Sequence, residues 1–136
     1  MRRFPRAWIA LAIVVAAGAC GSNDSTSPTL DASGSWNLQT INGSALPVII
    51  GSGTQAVTVL ASTLTISANG NYNEVVTLRP VGTTTNTTFT EIGTWSFTNG
   101  VVTFNDQTDA VTYTGSVSGN TLTENTAGFV SVYARQ

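Results

Sequence analysis

The chain has 136 residues, of which only 9% are charged, far below the quarter usual in soluble domains. There is no histidine and no lysine, one cysteine, and a formal net charge of −2. That composition excludes an electrostatic nucleic-acid interface and any internal disulfide, and it removes most residues used for nucleophilic and acid–base catalysis.

The N-terminus reads MRRFPRAWIALAIVVAAGAC. Arg2, Arg3 and Arg6 precede a short apolar run, Ala7 to Ala17, and small residues follow. The run is too short and wrongly flanked for a membrane span, and it has the build of a secretory signal. Its end, Ala16 to Cys20, resembles the lipobox of bacterial lipoproteins, with Ala17 where that family usually has Leu. The resemblance implies cleavage before Cys20, acylation of its thiol and amine, and a stable anchor, because two or three acyl chains hold where one does not. Residues 1–19 are then the signal peptide and residues 20–32, rich in Ser, Thr and Pro, a flexible tether. The mature chain keeps Arg79 and Arg135 against seven acids, about −5. Nothing after Cys20 resembles an inner-membrane retention signal, which implies the outer membrane.

Residues 33–136 are one small domain, and its dominant pattern is period two. Trp36 and Leu38 alternate with Asn37 and Gln39; Val57 and Val59 form a second run; Leu64 and Ile66 a third. Tyr72, Glu74, Val76 and Leu78 share one parity, as do Trp95 and Phe97, Val102 and Phe104, and then Val111, Tyr113 and Val117. Leu122, Phe129 and Tyr133 close the chain. Alternation puts one face of each strand inside, and the abundance of Thr and Val favours strand over helix. Asn42-Gly43, Asn69-Gly70-Asn71, Asn99-Gly100, Ser118-Gly119-Asn120 and Asn125 to Gly128 are turn signals.

The fold class is therefore all-β, an antiparallel up-and-down meander of about eight to ten strands. It hides its edges by closing into a small barrel, with a β-sandwich as the alternative. Val48-Ile49-Ile50, between Pro47 and Gly51, reads as a lid over one barrel end or as a short strand. The Thr-rich stretch 82–90 reads as a strand pair with a mobile tip.

Two Gly-x-Trp frames stand out: Gly34-Ser35-Trp36 at the first strand and Gly93-Thr94-Trp95 in mid-chain. With the Leu64 to Tyr72 hairpin and the closing Val132-Tyr133-Ala134-Arg135, they resemble the small lipocalin-like domains of bacterial lipoproteins. The resemblance implies a lipocalin-like barrel in which Trp36 plugs the closed end and Arg135 packs across it. Gly34 and Trp95 join these as structural residues.

Three glutamates, Glu74, Glu91 and Glu124, share parity with core residues. The bland expectation is that each lies near a strand end or turns outward, Gly93 being a bulge candidate. The sharper one is that Glu74 or Glu91, with Tyr72 or Tyr113, receives the polar head of a mostly apolar ligand. Asn105 to Asp109, NDQTD, lacks the regular oxygen spacing of a calcium loop and reads as a solvated hairpin tip. No metal, cofactor or catalytic residue is expected, and the chain is not read as an enzyme. Two functions stay open: a lipid-anchored envelope protein that binds a small apolar ligand, or a filled barrel acting as a structural or protein-interaction module. Counting Trp36, Tyr72, Phe89, Trp95, Phe97, Phe104, Tyr113, Phe129 and Tyr133 inward, side chains alone could fill the interior.

Overall fold

The computed structural model describes residues 31–136. The expected signal peptide, Cys20 and nearly all of the expected tether lie outside the described residues. Ten strands follow one another: β1 (Gly34–Ile41), β2 (Ser44–Ala45), β3 (Val48–Ile50), β4 (Val57–Ile66), β5 (Asn71–Pro80), β6 (Thr87–Thr98), β7 (Val101–Asp106), β8 (Val111–Ser118), β9 (Thr121–Thr126) and β10 (Phe129–Arg135). A 3₁₀ turn, Gly53–Gln55, separates β3 from β4. No helix among the described residues is long and apolar enough to cross a membrane.

Neighbours pair antiparallel from β4 through to β10; β10 pairs with β1, and β1 pairs with β4. Those eight strands close into a barrel, so the sandwich alternative falls. β2 and β3 are short additions at its edge. Val48–Ile50 is a strand, paired with the first residues of β4 as Val48↔Val59 and Ile50↔Val57. β4 thus serves two partners, β3 at its start and β1 at its end.

The runs at Val57–Val59 and Leu64–Ile66, which look separate because their parities differ, form one strand. An irregularity between Val59 and Ala61 shifts the register by one residue, so Val59, Leu64 and Ile66 all face inward. A second shift between Leu38 and Thr40 does the same for β1, bringing Trp36, Leu38 and Ile41 to one face. Gly93 is not a bulge: the β5–β6 ladder runs through it without a break, and the β6–β7 ladder begins at its pairing with Asp106. In the Thr-rich stretch only Thr87 onward is strand, paired to Leu78 and its neighbours in β5, and residues 83–90 are exposed.

The core gathers at one end of the barrel, around fully buried Trp36, Leu64, Val102, Phe104 and Leu122. Ala32, just before β1, is buried there too, and its carbonyl accepts a 2.9 Å bond from Trp36 Nε1–H. Trp95 is half-buried against this core and donates to the Ser67 carbonyl at 2.8 Å. Phe89 and Phe129, counted inward from parity, are 40% and 38% exposed. They stand at the opposite end, where the barrel is not filled.

The two Gly-x-Trp glycines are required for different reasons. Gly34 has φ +130°, and a Cβ there would sit 2.9 Å from Arg135 Nη1. Gly93 faces inward, and a Cβ would meet the Asn105 carbonyl oxygen at 2.1 Å and Tyr72 Cε1 at 2.7 Å.

Candidate functional site

Above the packed end the barrel holds a cavity of about 370 Å³. Its walls are apolar, with Leu38, Val59, Val76, Leu78, Phe89 and Phe129 among them. Five carboxylates line it: Glu74, Glu91, Asp106, Asp109 and Glu124. They are five of the six acids in residues 31–136, only Asp31 being elsewhere, and among the described residues no arginine lines the cavity.

Strand register explains the convergence. Glu74 and Glu91 are direct cross-strand partners on β5 and β6, which places two inward acids face to face. Asp106 pairs with Gly93, and Glu124 pairs with Gly115. Each of these two acids stands opposite an inward glycine; at Gly93 the space a side chain would occupy is taken by the Tyr72 ring, and at Gly115 by Leu122 and Glu124. A Cβ on Gly115 would lie 3.2 Å from Glu124 Cγ. Asp109 comes in through the loop after β7, which Asp106 itself curls: its Oδ1 accepts the Thr108 amide at 2.7 Å. Thr108 Oγ1 in turn accepts the Ile92 amide at 3.0 Å, tying that loop to β6. Carboxylate oxygens of Glu91, Asp106 and Asp109 consequently lie within 4.8 Å of one another. Three hard oxygen donors so placed fit a divalent cation in ligand type, a combination not expected from the sequence.

Hydrogen bonding divides the acids. Glu74, 6% exposed, accepts from Ser62 Oγ and, at 2.8 Å, from Tyr133 Oη. Glu124, 4% exposed, has no partner for Oε1, and the Oγ1 of Thr126, two residues along the same inward face, also has none. Tyr113 Oη lies 3.4 Å from Tyr72 Oη, a long bond, and Tyr113 stacks on Phe104 at 5.0 Å between centroids.

Burial raises all three glutamates, since water no longer solvates the anion. Glu124 is pushed well above the usual range by burial first, then by Glu74. Glu74 is raised by burial against the lowering effect of Ser62 and Tyr133. Glu91 rises to about 7 through burial, then through Glu74, Asp106 and Asp109. Tyr72 rises to about 12 by burial, and Tyr113 and Tyr133 are raised for the same first reason.

Of the four residues singled out as ligand contacts, Glu74, Glu91 and Tyr113 line the cavity. Tyr72 does not; it sits beneath, edge-on to Phe104 at 5.0 Å. The glutamates do not turn outward, because the ladders through them are continuous. Asp106 corrects the reading of NDQTD as a solvated tip, since it is 5% exposed. Parity already carried that signal, because Val102, Phe104 and Asp106 alternate on one face.

Fold and site together define a small, eight-stranded antiparallel barrel, open at one end over an acid-lined cavity and compatible with a lipocalin-like fold. No protein-family model matches the chain, and no curated protein matches it.

Proposed function

We propose that this is a lipid-anchored protein of the cell envelope, held through acylated Cys20 at the outer membrane, whose barrel binds a small molecule with a largely apolar body. The observation that carries the reading is the cavity of about 370 Å³ in the barrel interior. It falls within the size range of small-molecule sites, and apolar walls around a few converging polar groups are their usual lining. A barrel filled by its own side chains would leave no such space, so the interaction-module alternative is the weaker reading. Binding without catalysis fits the site better than turnover. Histidine and lysine are missing from the chain, and one oxygen of Glu74 is already taken by Ser62 and Tyr133.

Native mass spectrometry of the protein purified from envelopes tests the binding half. A retained small molecule, released on denaturation, is the expected result, and an empty barrel that takes up no apolar probe refutes it. For the anchor, Cys20→Ser should abolish acyl mass and move the protein from the membrane to the soluble fraction.

A further inference from the structure

We infer that the ligand of this cavity is a cation, a primary alkylammonium whose head sits against Glu124 and Thr126 while its chain lies along the apolar wall. The inference rests on the binding reading above and specifies its chemistry.

Three observations converge on it. First, charge in the barrel is one-sided: five carboxylates line the cavity, and among the described residues no arginine lines it. Carboxylates brought this close without a counter-charge repel one another, and the site gains most from a guest that brings positive charge. Second, Glu124, a side chain more than nine-tenths buried, lines this cavity, and its Oε1 is an acceptor without a partner. An unpartnered buried carboxylate oxygen is costly, so a donor from outside the chain is the missing element. Third, Thr126 Oγ1 is unpartnered on the same face of β9 and also lines the cavity. An ammonium has three N–H donors and no acceptor, so it can serve both oxygens at once with one donor left over.

The walls decide between an amine and a bare ion. Glu91, Asp106 and Asp109 could gather a divalent cation, but such an ion would leave the space between Leu38, Val76, Leu78 and Phe129 unused. An alkyl chain fills that space and gains roughly 0.8 kcal/mol per buried methylene. The alternative heads fare worse. A carboxylate would be repelled by the acids, and an alcohol, which can donate to Glu124 and accept from the Thr126 hydroxyl, brings no positive charge to offset them.

The test is calorimetric titration of the full chain carrying Cys20→Ser with hexylamine, hexanol and hexanoate at pH 7.5, and separately with calcium chloride. Hexylamine should bind at least about tenfold more tightly than hexanol, with hexanoate weakest. Glu124→Gln should weaken hexylamine by about tenfold or more and change hexanol little, and Thr126→Val should weaken hexylamine by a smaller factor. Both variants are close in shape to the native residue, and a thermal melt verifies that each is folded. If hexanol or hexanoate binds as well as hexylamine, the cationic head is wrong and the binding reading survives. Hexylamine affinity unchanged in Glu124→Gln overturns the assignment of the head to this residue. Calcium binding without hexylamine binding replaces the amine by a metal site. If no organic probe binds the folded protein, both the inference and the binding reading fall.

Discussion

Arg135 lies over the indole of its strand partner Trp36, its guanidinium carbon 4.2 Å from the ring centroid. The same guanidinium donates to the carbonyls of Ser33 and Asp31, and so ties the segment before β1 to the end of β10. One side chain thus combines a cation–π contact with two charge-assisted hydrogen bonds, at the junction where first and last strands meet. Arg135→Ala should cost about 2 kcal/mol, lowering the melting temperature by roughly 10 °C. Arg135→Lys should recover only part, since a lysine keeps the charge without the fork that reaches both carbonyls. Urea unfolding followed by tryptophan fluorescence measures both. Equal stability of Arg135→Ala and the parent would show that the contact is ornamental.

Gly93 carries the next expectation. An added methyl would have to displace the Asn105 backbone or the Tyr72 ring, and the backbone belongs to a continuous ladder. Gly93→Ala should therefore destabilise by about 3 kcal/mol or prevent folding. Ser96→Ala, an exposed change on the same strand, should stay within about 0.5 kcal/mol and serves as the comparison.

Stability should fall as pH rises. In the unfolded chain the glutamates lose their protons near 4.5, whereas in the barrel Glu91 holds its proton to about 7, and Glu74 and Glu124 are also raised, burial being the first cause. The folded state then binds more protons than the unfolded state across that window, so the free energy of unfolding decreases with increasing pH. The Glu91 contribution is complete below about 4.5 and lost as pH passes through about 7. Without ligand, the melting temperature should be higher at pH 5 than at pH 8, by roughly 5 °C. Glu124→Gln should raise the pH 8 value and flatten the slope. A melt series across that range decides it, and a rise in stability toward pH 8 would contradict the assignment.

Tyr133 and Ser62 both donate to Glu74 Oε1. Tyr133→Phe removes one of the two donors from a buried acid and should cost about 1–2 kcal/mol. The loss should be greater at pH 8 than at pH 5, because these bonds favour the ionised form. A double-mutant cycle with Ser62→Ala, run at both pH values, separates this from simple loss of packing.

Much of the architecture was legible from period two alone. Trp36, Leu64, Tyr72, Phe104, Val117, Leu122 and Tyr133, marked by alternation, are all buried. The Asn-Gly pairs mark real turns: Asn42, Gly43, Asn99 and Gly100 all have positive φ. Less was legible of the site. Glu74 and Glu91 carried their parity openly, yet a lone inward acid in a β sequence is more often turned out by an irregularity. Here the irregularities fall at Leu38/Thr40 and Val59/Ala61 instead. Asp106 was hidden by its company, since an acid among Asn, Gln and Thr looks like a wet turn.

The sequence by itself determined an antiparallel meander, the faces of most of its strands, and the glycines and turn residues that let it fold. These are local properties, written in side-chain alternation and backbone freedom. Only the tertiary structure decided that the sheet closes through β1 and β4, and that closure leaves a cavity at one end. It also decided that acids from β5, β6, β7, β9 and one loop meet there. Closure depends on long-range register, and a shift of one residue would have sent those carboxylates to solvent. The meeting of five acids is a property of that register, which no single strand carries.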